Sequence, residues 1–211
     1  GGKDSTIQIV KALKYNLNPL AITWKSPGRN KHGQKNVDNI SRLGVTHLDI
    51  KINPQIEKEL IYESFMKKGN PSIPMHLAIH SLPLMVANFA KIPLVLWAEN
   101  PALTIGTSNT DICRGIKTND WFADFGGTMN TTYLDWIDRK LKKEDLYIYS
   151  FAGKEIKNIT ELFLGYFFPW NPHNIAKESE IYGRKVVNKP LLGIHSFSED
   201  DDDFIVPVTE W

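Results

Sequence analysis

The chain opens with the residues "GGKDST" (1–6), which run directly into the apolar-periodic stretch "IQIVKALKYN" (7–16). Paired glycines let the backbone turn tightly and bring successive N–H groups close to a ligand. A helix that starts directly after them adds further N–H donors and a partial positive charge. The opening therefore predicts a turn that binds a pyrophosphate group at the start of a helix.

The side chains of this stretch fit a nucleoside triphosphate. The Lys3 ammonium can neutralise phosphate charge, and the Ser5 and Thr6 hydroxyls can donate to phosphate oxygens. Asp4 can hold the Mg²⁺ that accompanies ATP. We therefore predict that Asp4 and Lys3 are catalytic, that Asp4 is a metal ligand, and that the ATP-binding residues are Gly1, Gly2, Lys3, Ser5 and Thr6. The alternative is an ordinary helix N-terminus with Asp4 or Ser5 as its cap.

Composition sets broad limits on the function. The 211 residues are 42% hydrophobic and 23% charged, with a formal net charge of +1, which is close to the average for soluble proteins. Whole-chain charge therefore favours neither nucleic acid nor a membrane as partner. Cys113 is the only cysteine, which excludes an intramolecular disulfide and an all-cysteine zinc site within these residues. With no run resembling a signal peptide or a membrane span, we predict a cytoplasmic protein.

The order of periodic segments predicts a wound α/β sheet. Helices and strands alternate along the first hundred residues, as in an open parallel sheet with helices on its faces. The predicted helices are 7–16, a segment around "VDNISRLG" (37–44), 54–68 and 77–91, and the predicted strands are 20–24, 46–53 and 92–101. Pro83 is expected to kink the last helix or to mark its first turn. Because a phosphate loop normally follows a strand, we expect a first strand, ending in serine, before Gly1.

The carboxyl ends of two predicted strands carry candidate site residues. The strand "LVLWAENP" (94–101) ends in Glu99 and Asn100, where ligands bind in open α/β sheets. We predict Glu99 as a catalytic residue and metal ligand, and Asn100 as a nucleotide contact. Thr23 and Trp24, at the end of the strand "LAITW" (20–24), are predicted to lie beside the adenine. An ordinary core tryptophan is the alternative reading of Trp24.

The character of the chain changes after residue 101. Residues 104–132 are rich in Gly, Thr, Asn and Asp and predict a long irregular insertion, which is followed by helical segments around 133–141 and 158–167. We therefore expect a nucleotide-binding α/β core over 1–101. Residues 102–211 would form a substrate-side insertion and helical extension, truncated at its C-terminal end.

The loop type narrows the prediction. The Walker A loop needs Ser or Thr directly after its lysine, but Asp4 intervenes here. The loop "GGKDS" instead resembles the PP-loop, S-G-G-x-D-S, of ATP pyrophosphatases at every visible position. This resemblance implies an open wound parallel sheet of the adenine-nucleotide α-hydrolase-like type. It also implies a reaction in which AMP is transferred to a carbonyl-type oxygen and is then displaced by a nitrogen or sulfur nucleophile.

A closer resemblance covers roughly residues 1–172. The segments "GGKDST", "LNPLAITW", "MHLAIHSLPLMVANFAKIPLVLWAENP" and "YFFPWNP" together resemble the N-acetyl sugar amidotransferases of surface-polysaccharide and nonulosonic-acid biosynthesis. The resemblance implies ATP and Mg²⁺ as cofactors, a nucleotide-activated N-acetyl sugar as substrate, and an acetamidino sugar as product. It also implies a glutaminase and an ammonia-channelling partner. Ala98 stands where the family has glycine, and the family's upstream cysteine motif is not in this chain, which leaves zinc binding open.

Other candidates carry alternatives. His76 and His80, four residues apart, are expected to flank the sugar site or to cap a helix rather than to form a metal pair, and we predict His80 as an acid or base for ammonia addition. Arg29, Lys31 and Lys35 either contact phosphates or form a solvated basic loop. Two rival functions also remain. One is a PP-loop tRNA-modifying enzyme, which the low net charge and single cysteine disfavour, and the other is an ATP-binding regulatory module without catalysis.

Overall fold

A computed structural model describes residues 1–98, 100–109, 114–187 and 202–203. Over these residues the chain is a mixed α/β protein with eight α-helices and two pairs of parallel strands. It divides into two compact units, Gly1–Ile50 with Phe168–Trp211, and Lys51–Phe167. The elements in chain order are α1 (Lys3–Lys14), β1 (Leu20–Trp24), α2 (Lys31–Arg42), β2 (Thr46–Ile50), α3 (Pro54–Lys68), α4 (Ile73–Ala90), β3 (Leu94–Trp97), α5 (Pro101–Ile105), α6 (Asn119–Phe125), β4 (Thr160–Phe163), α7 (Leu164–Phe167) and α8 (Pro172–Ile181).

The first unit is built on a β-α-β arrangement. Strands β1 and β2 pair in parallel, with Leu20 opposite Thr46 and Trp24 opposite Ile50, and α2 connects them. A parallel pair needs such a crossover because its two strands run in the same direction. The α2 helix starts at Asn30, whose side chain accepts a hydrogen bond from the Gly33 N–H. The sequence therefore gives α2 an ordinary polar cap.

Apolar residues of three elements form the core of this unit. Ile9 of α1, Ile40 of α2 and Val45 are buried together, with Leu13, Ala21 and Leu43 packed around them. These positions recur at helical spacing on α1 and α2, which is the pattern that buries one face of each helix. The core therefore joins α1 to the β-α-β arrangement.

Residues near the end of the described chain pair with α2. The Asn36 side chain donates to the Lys185 carbonyl (2.9 Å) and accepts from the Lys185 N–H (2.8 Å), and Asn39 donates to the Tyr182 carbonyl (2.9 Å). Asn36 is 1% exposed. Since a buried amide must find partners, these two asparagines fix the segment after α8 against α2.

The second unit has α4 at its centre. The β3 and β4 strands pair in parallel, with Leu94 opposite Thr160 and Trp97 opposite Phe163, and α4 packs against β3 and α3. Pro83 lies inside α4, which continues from Ile73 to Ala90, so of the two expectations for Pro83 the one that placed it in the first turn is wrong. Leu77, Leu82 and other core residues of α4 are completely buried.

Two secondary-structure expectations in the second unit are wrong. Residues 158–167 are not one helix, because 160–163 form β4 and only 164–167 are helical. Residues 133–141 form a short 3₁₀ turn over 133–136 and then a turn in which Asp138 accepts from the N–H groups of Lys140 and Leu141. Four residues are too few for periodicity to separate a strand from a helix, and pairing with β3 makes 160–163 a strand.

One described helix, α4, is long and apolar enough to cross a membrane by length and composition. Half of its 18 residues are buried inside the structure. The core helix of a soluble protein has the same properties, so α4 is consistent with a soluble protein.

The predicted division into a nucleotide-binding core (1–101) and a substrate-side extension (102–211) stays a prediction.

Ser81 on α4 offers a test of how this core is held. Its hydroxyl donates to the Ile148 carbonyl (2.6 Å) and accepts from the Phe151 N–H (3.0 Å), and Ser81 is 0% exposed. We expect Ser81→Ala to lower the free energy of unfolding by about 1–3 kcal/mol, because the buried Phe151 N–H and the half-buried Ile148 carbonyl lose their partner. Urea unfolding measures it.

Ser150 provides the matched control. Its hydroxyl is buried and has no hydrogen-bond partner among the described residues. Ser150→Ala should therefore leave the free energy of unfolding unchanged or raise it, since no bond is lost. Equal losses in the two variants would contradict the assignment of the Ser81 bonds.

Candidate functional site

The α1 helix starts without a side-chain cap. Gly2 is its N-cap residue, with extended backbone angles (φ −71°, ψ −176°), and no side chain accepts a hydrogen bond there. Asp4 lies in the first turn and not at the cap position. The alternative reading, in which Asp4 or Ser5 caps the helix, is therefore not what the structure has. No side chain of the helix start therefore occupies the position of an anion at its first turn.

Two residues of the motif hold the turn in place. A Cβ atom on Gly1 would lie 2.6 Å from the backbone of Asn36 and Val37, so only glycine fits against α2 here. Thr6 is 1% exposed, and its hydroxyl donates to the Gly2 carbonyl (3.0 Å). Gly1 and Thr6 thus have structural roles of their own, beside the ATP contacts predicted for them.

The Asp4 carboxylate has two partners among the residues that the structure describes. Its Oδ1 atom accepts a hydrogen bond from the Trp170 indole N–H (2.8 Å), and its Oδ2 atom lies 3.0 Å from the Lys3 ammonium. The side chains of Asp4 and Lys3 are 23% and 12% exposed. A carboxylate offers about four acceptor positions, so these partners leave room for a cation. Asp4 is oriented and still reaches solvent.

The donor set in the described ranges is small. No group of three or more histidine, cysteine, aspartate or glutamate side chains lies together there. Mg²⁺ is often bound through one or two carboxylates, with waters and substrate phosphates as its other ligands. A single oriented carboxylate at an uncapped helix start is compatible with that chemistry.

The end of β1 is fixed by polar contacts. Arg29 donates to both oxygens of Asp49 (2.6 and 2.9 Å) and to the Trp24 carbonyl (3.0 Å). The Arg29 side chain is only 7% exposed, so it is held in an ion pair. The Thr23 hydroxyl lies 2.9 Å from the His47 ring, and burial lowers the pKa of His47 below its usual value. Lys31 and Lys35 are exposed.

In the second unit, a buried ion pair lies beside β3. The Lys117 ammonium and the Trp97 indole N–H both donate to Oε2 of Glu161, each at 2.8 Å. The ammonium also lies 4.7 Å from the centre of the Trp97 ring. Burial lowers the pKa of Lys117, and the adjacent Glu161 opposes that shift. This ion pair ties Trp97 to β4.

The Asn100 side chain accepts two hydrogen bonds from residues of the second unit. It is 2% exposed, and its Oδ1 atom accepts from the Ala102 N–H (3.0 Å) and from the Trp121 indole N–H (2.8 Å). Asn100 is therefore the N-cap of α5. The nucleotide contact predicted for Asn100 stays a prediction. Glu99, which we predict as a catalytic residue and metal ligand, lies outside the described residues, as does Cys113.

His80 is enclosed by aromatic rings. It is 6% exposed, and its ring centre lies 5.1, 5.7 and 5.3 Å from those of Trp97, Trp121 and Phe122. Its Nδ1 atom has no hydrogen-bond partner among the described residues. Burial lowers the pKa of His80 well below its usual value, and the Lys117 charge adds to this. The ring is therefore neutral near pH 7.

The predicted residues fall into two groups. The first unit contains Gly1 to Thr6 at the start of α1, with Thr23 and Trp24 at the end of β1, whereas His80 and Asn100 belong to the second unit. The sequence did not predict the residues that contact them: Trp170 beside Asp4, Trp121 beside Asn100, and Lys117, whose charge acts on His80. Nothing in the local pattern of "PWNP" (169–172) pairs Trp170 with Asp4.

Comparison with protein-family models gives no match, and comparison with curated proteins gives no significant match.

The environment of His80 predicts how stability depends on pH. Because its folded-state pKa is lowered, the unfolded chain binds the proton first as the pH falls below 6.5, and stability is then lost. We expect wild-type protein to lose about 1 kcal/mol more than His80→Gln between pH 7.0 and 5.5. Urea unfolding at the two pH values measures it. His173 is exposed, so His173→Gln is the control and should show the same pH dependence of stability as wild type. If His80→Gln also shows the wild-type pH dependence, His80 is not the group responsible.

Proposed function

We propose that the protein is an ATP-dependent, AMP-forming amidotransferase that converts the N-acetyl group of a nucleotide-activated sugar into an acetamidine. The observation that carries the proposal is the start of α1, where "GGKDST" forms an uncapped first turn of a 12-residue helix. The parallel β1-α2-β2 arrangement that follows is compatible with the sheet implied by the PP-loop resemblance. The resemblance over residues 1–172 supplies the substrate class.

The first turn of α1 would bind the phosphates of ATP. Its N–H groups and the helix dipole attract an anion, and the Lys3 ammonium lies on the same turn. The Ser5 hydroxyl is also there and can donate to a phosphate oxygen. These groups stabilise the negative charge that develops on the departing pyrophosphate.

The reaction would exchange one oxygen for nitrogen. The acetyl carbonyl oxygen attacks the α-phosphorus of ATP, and the bond to pyrophosphate breaks. Ammonia then adds to the activated carbon, loses a proton, and expels AMP. The acetyl oxygen leaves with AMP, so the products are the amidine, AMP and pyrophosphate.

Asp4 would hold Mg²⁺ in this site. The ion supplies neutralisation of phosphate charge when it is bound. Asp4 suits that role because its carboxylate is oriented by Trp170 and is still 23% exposed. The Lys3 ammonium, 3.0 Å from the Asp4 carboxylate, offers its own charge to a phosphate. Catalysis by these residues would come from positioning and charge stabilisation.

The remaining roles follow from the family resemblance. Glu99 would act as a catalytic residue and metal ligand, with ammonia delivered by a glutaminase and a channelling partner in the cytoplasm. The burial of His80 and the capping bonds of Asn100 favour positioning roles for these two side chains, in place of the acid–base role predicted for His80 and the nucleotide contact predicted for Asn100.

The deciding experiment follows isotope and product together. The protein is mixed with ATP, Mg²⁺, ammonia and a panel of N-acetylated UDP-sugars whose acetyl oxygen carries a heavy isotope. The proposal expects pyrophosphate release that depends on the sugar, and the heavy oxygen in AMP. ATP binding without pyrophosphate for any sugar would favour the regulatory module. Pyrophosphate release that requires tRNA instead of sugar would favour the tRNA-modifying enzyme.

Asp4→Asn tests the metal role directly. The amide keeps the size of the side chain but removes the negative charge, so we expect at least about a 100-fold loss of pyrophosphate release. Thermal unfolding should change little, because Asp4 is partly exposed. Asp38→Asn on α2 is the matched control, since Asp38 is an exposed aspartate of the same unit. Full activity in Asp4→Asn would remove Asp4 from the mechanism.

A further inference from the structure

Trp170, which is distant in sequence, contacts the start of α1. It lies just before α8, and its indole N–H donates to Oδ1 of Asp4 at 2.8 Å. The two residues are 166 positions apart, so no local preference brings them together. This bond therefore depends on the tertiary packing of the first unit.

Neighbours on both sides fix the backbone of Trp170. On one side, the Phe168 ring packs on Tyr15 at 5.4 Å between ring centres, and the Lys11 ammonium lies 4.9 Å from the centre of the same ring. On the other side, the Asn171 side chain accepts the N–H groups of His173 and Asn174 and so caps α8. The indole is held between an anchored ring and an anchored helix start.

The bond has little to contribute to folding. Trp170 is only partly buried, and the Asp4 side chain is 23% exposed. A hydrogen bond in such surroundings exchanges with water at a small net gain. Its geometric effect is larger, because an indole has few rotatable bonds and a single N–H donor, which fixes one carboxylate oxygen in a defined direction.

Trp170 and Lys3 act differently on the same carboxylate. Lys3 is a charged donor on a flexible chain, and it is expected to move with a phosphate group. The indole is neutral, so it orients Asp4 without cancelling its charge. Partners of this kind hold metal-ligating carboxylates in place, and their loss typically lowers metal affinity 10–100-fold.

We propose that Trp170 is a positioning residue that orients the Asp4 carboxylate to bind Mg²⁺ together with the nucleotide phosphates. The proposal rests on the proposed function, because it takes Asp4 as a metal ligand. It assigns a role at the ATP site to the segment that follows β4 and α7, which belongs by sequence to the C-terminal part of the chain.

The experiment compares two tryptophan analogues placed at position 170 by site-specific incorporation. One is benzothienylalanine, which has sulfur in place of the N–H, and the other is a fluorotryptophan, which keeps the donor. Mn²⁺ binding in the presence of a non-hydrolysable ATP analogue is followed by electron paramagnetic resonance. We expect about tenfold weaker Mn²⁺ binding with benzothienylalanine and near wild-type binding with fluorotryptophan.

A second readout tests the bond without nucleotide. In ¹H–¹⁵N spectra of the full chain, the indole N–H signal of Trp170 should move when Asp4 is changed to Asn, because a charged acceptor is replaced by a neutral one. Ile40→Val, in the core of the same unit, is the control for packing alone. It should lower thermal stability and leave Mn²⁺ affinity within about twofold of wild type, because Ile40 lies in the core with Ile9 and Val45 and the indole bond is intact.

The outcomes separate the two proposals. The role of Trp170 is overturned, while the proposed function stands, if its indole N–H signal does not move in Asp4→Asn. The same holds if the proteins with the two tryptophan analogues bind Mn²⁺ with equal affinity. Wild-type protein that binds no Mn²⁺ with the ATP analogue overturns the metal role of Asp4, and the positioning role with it. If Mn²⁺ binding is weaker with benzothienylalanine and not with fluorotryptophan, the result supports both the metal role of Asp4 and the positioning role of Trp170.

Discussion

The first unit depends on how the start of α1 is held in place without a side-chain cap. A helix start is usually closed by a side chain that accepts its first N–H groups. Here Gly2 is the N-cap and supplies no side chain, and the constraint comes from packing instead. Gly1 lies so close to the α2 backbone that a Cβ atom would clash, and Thr6 ties its hydroxyl to the Gly2 carbonyl. The turn is thus fixed by neighbours that leave its donors uncapped.

In the second unit, several polar side chains beside β3 are hydrogen-bonded to one another. Glu161 receives hydrogen bonds from Lys117 and Trp97, and Asn100 from Trp121. A buried charge is tolerated only when it is paired and hydrogen-bonded, and Lys117 has both a carboxylate and an aromatic face. These contacts fix Trp97 at the end of β3 and Asn100 at the start of α5.

Local patterns predicted much of the fold. The strand at 20–24 and the helix at 54–68 were predicted to the residue, because clear period and punctuation mark both ends. The strand β4 was missed, because its four residues become a strand only by pairing with β3, more than sixty positions earlier. The open wound sheet of PP-loop type remains an interpretation, while the mixed α/β class with parallel pairs is confirmed.

The same limit applies to the candidate site. The motif residues could be named from six letters of sequence, since the chemistry of a helix start is local. Their partners could not, because Trp170 meets Asp4 only after α8 has packed on α1. This dependence has a physical consequence. Without Trp170, the Asp4 carboxylate would sample several rotamers. Metal binding would then have to fix one of them, and the lost side-chain entropy would lower the metal affinity. A donor delivered by the C-terminal segment removes that freedom only in the folded unit, so the orientation of Asp4 is linked to the completion of folding.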